Sequence, residues 1–297
     1  LRYFFVNFII IPKRVANSTQ EYKKLWQLFG ASPLINYAEK LTAKLNIKLD
    51  EKYDVYFAMR YQNPSIDSAL TEIYSKGYHE LVILPLYPQY ASASTGSTID
   101  YCKNIMKNWW NMPKLTIINH FYNHPSFINC VVENTNKMDF DNYDHILFSY
   151  HGLPERHVDK SHPGLTLCAD GDCEKGLSND NHFCYKAQCY ETTKLIASQL
   201  ELPEDSYSVS FQSRLNNKWI KPYTDKVMLE LVESNHKKVL VLSPAFVSDC
   251  LETSIEISER NKKVFIEHGG EEFTLVPSLN DNDTWVDAII DIINLRG

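Results

Sequence analysis

A histidine at the end of a buried strand is the first residue whose position suggests chemistry. His151 follows the apolar run YDHILFSY, and Gly152 and Pro154 turn the chain immediately after it. A neutral imidazole at the mouth of a sheet can accept a proton or bind a metal ion. A hydrogen-bonded structural histidine explains the position equally well, so His151 alone does not assign a function.

A row of carboxylates follows another predicted strand. Asp249, Glu252, Glu256 and Glu259 are spaced i, i+3, i+7 and i+10, which predicts one stripe along an α-helix. Most such stripes are solvated acidic faces. This stripe begins where a strand ends, and Asp249 and Glu252 in the first turn face the expected cleft. That position favours proton or metal handling over simple solvation.

Four cysteines crowd into an insert-like segment at 165–190 that is rich in Gly, Asn and Asp. Their pattern is C-x4-C-x10-C-x4-C, formed by Cys168, Cys173, Cys184 and Cys189. Four thiolates in a reducing compartment suit an iron–sulfur cluster or a tetrahedral zinc ion, and disulfides are disfavoured there. The spacing leaves cluster, zinc and unligated thiols open.

The elements that position these residues follow from an alternation of short β-branched runs with longer amphipathic segments. The predicted strands lie at 53–61, 80–88, 115–121, 143–150, 206–213, 237–246 and 273–279. The predicted helices lie at 66–76, 97–109, 125–135 and 283–295. Such alternation is typical of parallel sheets that are covered by helices on both faces.

The repeat of this scheme predicts an α/β fold of two similar Rossmann-like domains. The first domain spans 1–135 and is completed by a C-terminal helix at 281–297, and the second spans 136–280. Ligands of such sheets bind at the carboxyl ends of the strands. Because the first half has only three predicted strands and Leu1 is not a start methionine, we expect an opening strand to be missing.

The composition excludes several classes of function. A chain of 297 residues with 44% hydrophobic residues is neither disordered nor collagenous. A net charge of -7 with scattered basic residues argues against nucleic acid as a partner. The most apolar stretch, 4–11, is far shorter than the roughly 20 residues of a spanning helix. We therefore expect a cytoplasmic protein without a transmembrane segment.

Seven blocks of sequence resemble the ferrochelatase family over essentially the whole chain. They are SYHGLPERH, FVSDCLETSIEI, GASPL, MRYQNPSI, LPLYPQYASASTGS, SFQSRLNNKWIKPYTD and PSLNDNDTW. The resemblance implies a chelatase-like fold and an enzyme that inserts its substrate Fe²⁺ into a porphyrin, protoporphyrin IX favoured, with release of two protons. The family's opening strand and porphyrin-contacting loop are absent from this sequence.

The same resemblance implies a role for each matching residue. His151 and Glu252 match the catalytic pair, and Asp249 and Glu256 extend an iron path away from the porphyrin. The residues that match the porphyrin-binding wall are Arg60, Tyr61, Tyr90, Ser213 and Trp219. The resemblance also shifts the cysteine site towards a structural [2Fe–2S] cluster held by Cys168, Cys173, Cys184 and Cys189.

Three other functions fit the same residues. A sibling chelatase would insert cobalt or nickel into a partly reduced tetrapyrrole, and a porphyrin or haem carrier would bind without turnover. A cysteine-ligated redox sensor would respond to the oxidation state of its cluster. The choice between monomer and homodimer, and any peripheral membrane contact, stays open.

Overall fold

Two parallel sheets flanked by helices form the part of the chain that this computed structural model describes, residues 11–162, 167–168 and 172–293. The strands are β1 (Glu80–Ile83), β2 (Lys114–Ile117), β3 (His145–His151), β4 (Tyr207–Gln212), β5 (Lys238–Leu242) and β6 (Glu272–Leu275). The α-helices are α1 (Ile11–Phe29), α2 (Pro33–Leu49), α3 (Ile66–Lys76), α4 (Ser97–Met106), α5 (Pro125–Asn136), α6 (Glu155–Asp159), α7 (Tyr185–Gln199), α8 (Thr224–Glu233), α9 (Lys262–Glu267) and α10 (Asp283–Ile292). The apolar segment 4–11 lies almost wholly outside the described residues.

The second sheet has the order β4-β3-β5-β6, and all its strand pairs are parallel. Successive residues of β3 alternate between two cores, so that Phe148 and Tyr150 face one core and Leu147 faces the other. A strand that is buried on both faces must be apolar at nearly every position. This requirement explains the continuous run ILFSY in the sequence.

The strand order creates a crevice between β3 and β5. The chain passes from β3 to β4 on one side and then crosses to β5 on the other side of β3. In open parallel sheets such a reversal of strand order is where ligands bind, at the carboxyl ends. His151 and the loop after Leu242 are placed at this crevice.

The first sheet contains only β1 and β2 among the described residues, so the prediction of a strand at 53–61 is wrong. Residues 53–58 lie outside any strand, and the backbone of Val55 bonds to a side chain instead of a neighbouring strand. The Val55 N–H donates to Asn46 Oδ1 (2.9 Å), and Asn46 Nδ2 donates to the Val55 carbonyl (3.2 Å). The Asn46 amide therefore takes the place of a partner strand.

The helix predicted at 283–295 is α10, and it packs on α2 and α5. The buried Trp285 ring lies 5.8 Å from the Phe121 ring and 6.1 Å from the Phe127 ring. Lys48 also pairs with Asp287 at 2.7 Å. These contacts attach the end of the chain to elements of its first half, while the domain boundary at 135 stays a prediction.

Candidate functional site

His151 ends β3 with its ring at the crevice. Its Nδ1 lies 2.6 Å from the Gly152 carbonyl oxygen. Because a carbonyl only accepts, Nδ1 carries the hydrogen, and Nε2 of the neutral ring keeps its lone pair. The phenol of Tyr185 donates to the His151 carbonyl at 2.9 Å and fixes the backbone. The ring is thus set as a proton acceptor or metal ligand through Nε2.

The aromatic rings of Trp219 and Phe246 both lie near the imidazole of His151. The ring centroid of Trp219 lies 6.4 Å from that of His151, and the Phe246 centroid lies 6.3 Å away. An isolated bridge between Pro154 and Trp219 holds the tryptophan loop against the turn after β3. The structure therefore places Trp219 beside His151, and its predicted contact with a porphyrin stays a prediction.

Gln212 connects the end of β3 to the acidic segment. No sequence motif indicated a role for this residue. Its side chain is buried and accepts from Ser149 Oγ at 2.8 Å, while its Nε2 donates to the Glu252 carbonyl at 3.2 Å. Its own carbonyl accepts from the Gly152 N–H at 2.8 Å. Gln212 thus fixes the histidine turn through its backbone carbonyl and the start of the Glu252 helix through its side chain.

The predicted α-helical stripe of four carboxylates is wrong. Residues Glu252–Asn261 form a π-helix, and Asp249 lies in the loop before it. The i→i+5 bonds of a π-helix widen each turn, so the i, i+3, i+7 spacing no longer keeps side chains on one face. Glu259 is exposed, whereas Asp249, Glu252 and Glu256 are partly buried. Long π-helices are rare and are found mostly at functional sites.

Asp249 is fixed by Asn280, another residue that was not predicted. Asn280 Nδ2 donates to Asp249 Oδ2 (2.8 Å), and the Asp249 N–H donates to Asn280 Oδ1 (2.9 Å). Asp249 reaches towards Tyr37 on α2, where burial and then the negative charge of Asp249 raise the pKa of the phenol. Asp249 is thus held at the seam between the loop after β5 and α2.

Glu256 and Ser213 bind each other, away from the lining of the large cavity described below. The Ser213 N–H and Oγ donate to the two Glu256 oxygens at 3.0 and 2.6 Å, and Arg260 pairs with the same carboxylate at 3.1 Å. Both residues were predicted site residues, one for iron and one for porphyrin. The structure joins them as one hydrogen-bonded pair that anchors the π-helix to the end of β4.

Cys250 lies between Asp249 and Glu252 and was also not predicted. Burial raises the pKa of its thiol, and the negative charge of Glu252 raises it further. On α1, burial and then Glu252 raise the pKa of Tyr22 in the same way. The Glu252 carboxylate is therefore close to two groups, Cys250 and Tyr22, whose protons it helps to retain.

The first half contributes Arg60, whose guanidinium stacks on two tyrosine rings. The distances to the ring centroids are 4.6 Å for Tyr61 and 4.2 Å for Tyr101, and Nε donates to Ser97 Oγ at 3.3 Å. Tyr61 itself is 79% exposed. Tyr90 is held further along, where its N–H donates to Gln188 Oε1 at 2.7 Å.

A cavity of about 1270 Å³ lies between the first sheet and the carboxyl ends of β3 and β5. It exceeds the roughly 300–1,000 Å³ of common small-molecule sites. Most of its lining is aliphatic or aromatic, and few polar groups interrupt it. Among the predicted site residues, the described lining includes His151, Glu252 and Arg60.

The cysteine segment forms a compact group, but not the predicted one. Cys168, Cys173 and Cys184 come together with His162, and all four donor atoms lie within 4.8 Å of one another. Cys189, the fourth predicted ligand, is not in this group, and it lies five residues beyond Cys184, the residue that caps α7. At 3.6 residues per turn, that step points its side chain away from Cys184.

The pKa values of these thiols differ because their surroundings differ. Hydrogen bonds from Cys168 and Cys184 lower the pKa of Cys173, while the same contacts and burial raise the pKa of Cys168. Burial raises the pKa of Cys189, which lies against Tyr185 in the main core. All four cysteines lie in the same buried core, so burial does not separate Cys189 from the other three.

No helix among the described residues combines the length and the apolar character that a bilayer crossing requires.

Comparison with known proteins gives one family. The family model described as Ferrochelatase matches residues 1–296. A ferrochelatase of Legionella pneumophila (strain Paris) is 42% identical over 294 residues, which cover 99% of this chain and 87% of that protein. A ferrochelatase of Coxiella burnetii (strain Dugway 5J108-111) is 40% identical over 294 residues, covering 97% and 81%.

Solved structures with a similar fold are chelatases. SirB from Bacillus subtilis with Fe³⁺ aligns with a TM-score of 0.59 at 11% identity, covering 86% of each chain. CbiX, described as the terminal enzyme of sirohaem biosynthesis in denitrifying bacteria, aligns with a TM-score of 0.53 at 11% identity, covering 89% and 93%. At such identities the likeness concerns the fold, and it confirms the predicted chelatase-like α/β architecture.

Proposed function

This chain belongs to the ferrochelatase family, and we propose that its large cavity inserts Fe²⁺ into a porphyrin through His151 and Glu252. The enzyme is a metal chelatase of haem biosynthesis. One observation supports the choice of residues: an unprotonated imidazole nitrogen and a carboxylate line the same apolar cavity, and Gln212 fixes both of their backbones.

Metal insertion releases two pyrrole protons, and the site needs acceptors for both. His151 Nε2 accepts the first, since Nδ1 already holds its hydrogen against the Gly152 carbonyl. The Glu252 carboxylate accepts the second or receives the first from the imidazole. The protonated neighbours Cys250 and Tyr22 do not compete for these protons, because their pKa values are raised.

Iron reaches the porphyrin along the acidic side of the cavity. Carboxylate oxygen and imidazole nitrogen are ligands of intermediate softness that bind Fe²⁺ without trapping it. Asp249, held by Asn280, is the outer ligand, and Glu252 is the inner one. Glu256 continues the line of carboxylates, with its charge balanced by Arg260.

The porphyrin, with protoporphyrin IX favoured, binds between the aromatic walls. Trp219 packs beside His151, and the guanidinium of Arg60 is the positive group for a carboxylate of the macrocycle. Tyr61 and Tyr90 are the further contacts that we propose, whereas Ser213, the other predicted contact, donates to Glu256 away from the cavity lining. A planar macrocycle resists metal entry, so walls that bind it bent favour the transition state over the ground state.

A [2Fe–2S] cluster on four cysteines does not fit the residues present. Such a cluster needs two ligands on each of two irons. The described structure groups Cys168, Cys173 and Cys184 with His162, and Cys189 is not among the donors that lie within 4.8 Å of one another, so the fourth cysteine ligand is lacking. No step of the reaction depends on this group.

The reduced state of the cysteines supports a cytoplasmic location, which we also propose. All seven cysteines are free thiols, as is usual in cytosolic proteins.

The test is an anaerobic insertion assay with the purified chain. Ferrous iron is supplied with protoporphyrin IX or with coproporphyrin, and the absorbance of the metalloporphyrin is followed. Turnover with Fe²⁺ supports the proposal, and the faster porphyrin is the substrate. Tight porphyrin binding without any metal insertion would instead favour the carrier function.

A further inference from the structure

Four buried donors meet beside the amino end of α7. The Cys168 and Cys184 sulfurs lie 3.7 Å apart, and the Cys173 sulfur lies 3.5 Å from His162 Nε2. We propose that His162, Cys168, Cys173 and Cys184 bind a single zinc ion at a closed structural site. This inference does not depend on the function of the large cavity.

The spacing of the donors selects one ion rather than a cluster. A tetrahedral zinc ion with Zn–S of about 2.3 Å and Zn–N of about 2.0–2.1 Å places its ligand atoms roughly 3.5–3.8 Å apart. The two measured separations agree with these edges. A two-iron cluster binds its ligands as two pairs on separate metals, and those pairs lie farther apart than donors that all fall within 4.8 Å.

The surroundings are those of a structural zinc site. The four residues are at most 7% exposed, which leaves no open coordination position for substrate. Asn181 Nδ2 donates to the Cys173 sulfur at 3.8 Å and to the Gly176 carbonyl at 3.0 Å. Such outer contacts orient metal-bound thiolates.

The choice of His162 over Cys189 follows from position. His162 lies just after α6, six residues before Cys168. Cys189 does not belong to the donors that lie within 4.8 Å of one another, and it lies more than one turn into α7 from Cys184. Zinc has no redox chemistry, so the ion ties the inserted segment to α6 and α7 and does not sense oxidants.

The test is the metal content of the full chain, purified without oxygen from cells supplied with both iron and zinc. We expect colourless protein with about one zinc per chain that resists dialysis against a weak chelator. Cys184→Ser and His162→Ala should lose this zinc. Cys189→Ala is the matched control and should retain it, and His162→Cys should retain it because a fourth thiolate replaces the imidazole.

Two further measurements make the result decisive. Because the acidic site can also hold a divalent ion, the count is repeated in a Glu252→Gln background, where the zinc should remain. Circular dichroism confirms that each variant is folded before its metal is counted. About two irons and two sulfides per chain, metal loss in Cys189→Ala with retention in His162→Ala, or folded metal-free wild-type protein would each overturn the proposal.

Discussion

At the scale of single residues, the site depends on which nitrogen of His151 carries the hydrogen. The carbonyl that accepts from Nδ1 belongs to Gly152, the next residue in the chain. The local backbone therefore sets the tautomer before any substrate binds. Gln212 then relates that ring to Glu252 through the backbone of both. The proposed catalytic pair is therefore positioned before a porphyrin binds.

Replacement of His151 by alanine should abolish most metal insertion and leave the fold intact. Loss of a positioned proton acceptor costs about 10²–10⁴-fold in kcat. The partly exposed ring contributes little to packing, so the melting temperature should hardly change. Initial rates with Fe²⁺ are compared with those of His157→Ala, an exposed histidine of α6 that should keep full activity. Equal rates in both variants would remove His151 from the reaction.

Glu252→Gln should keep porphyrin binding and lose insertion. The amide preserves the shape of the side chain but can neither accept a proton nor hold iron as an anion. A loss of about 10²-fold or more in kcat is expected, with the porphyrin Kd unchanged. Fluorescence titration gives the Kd, and Glu259→Gln, which alters an exposed carboxylate, is the control. If both glutamine variants turn over alike, Glu252 belongs to a solvated face.

Sequence predicted His151, Glu252 and Trp219 because short motifs carry them, and it missed residues whose roles depend on long-range contacts. Gln212 acts through Ser149, Gly152 and Glu252, which lie far from it in the chain. His162 was overlooked because four evenly arranged cysteines offered a complete ligand set. Only the start of α7 at Tyr185 reveals that Cys189 turns away.

At the scale of elements, the π-helix is the feature that sequence could not supply. Its apolar and acidic residues fit an α-helical period, and the choice of the wider turn comes from tertiary bonds. The Ser213 contacts hold Glu256, and Gln212 holds the Glu252 carbonyl. The segment is thus fixed at its start and at its middle against the end of β4.

The turn after β3 should not tolerate a methyl group at Gly152. A Cβ there would lie 2.7 Å from the Gln212 carbonyl oxygen and 3.3 Å from the Trp219 ring. We expect Gly152→Ala to lose about 1–3 kcal/mol of stability by overpacking and to lower the kcat of the folded protein by displacing His151. Urea unfolding and initial rates at low temperature measure the two effects.

The matched control is Gly270→Ala, which overpacks a place remote from the site. Its Cβ would lie 2.2 Å from the Phe265 ring, in the core beside β6. This variant should lose stability too, but its folded fraction should keep the wild-type kcat. A normal kcat in Gly152→Ala as well would show that the turn does not position the histidine.

At the scale of the whole molecule, alternation of elements predicted the parallel sheets, and the second sheet matches it strand for strand. The first sheet does not, because YDVYFAMRY has strand-like residues but its backbone bonds to Asn46. Period and propensity describe what a segment can form. Whether a strand-like segment joins a sheet depends on a neighbouring strand, and no local sequence pattern specifies that strand.

Acid should destabilise the protein through a histidine at the opposite end of the second sheet from the site. Burial, and then the nearby His236, lower the pKa of His145 to about 4 from its ordinary 6.5, while Asp205 opposes this shift. The unfolded chain therefore takes up the proton first as the pH falls. The free energy of unfolding should be unaffected above pH 6.5 and fall by about 3 kcal/mol between pH 6.5 and 4.

Urea unfolding across this pH range checks the effect. In His145→Gln, which cannot be protonated, the decline should be smaller than in the wild type by that amount. His268→Gln changes an exposed histidine and should leave the decline unaltered. A His145→Gln profile that parallels the wild type would assign the acid sensitivity to other groups.

The long connection between β3 and β5 also determines when the site can form during synthesis and folding. Ser243 Oγ donates to the carbonyl of Ser149 across a separation of 94 residues, and the pairing of β3 with β5 spans a similar distance. Contacts of this range form late in folding, since a long loop must close first. During synthesis, the apolar β3 leaves the ribosome well before its partner exists, and this interval exposes it to aggregation. The proposed catalytic pair, His151 and Glu252, therefore comes together only when almost the whole chain has been synthesised.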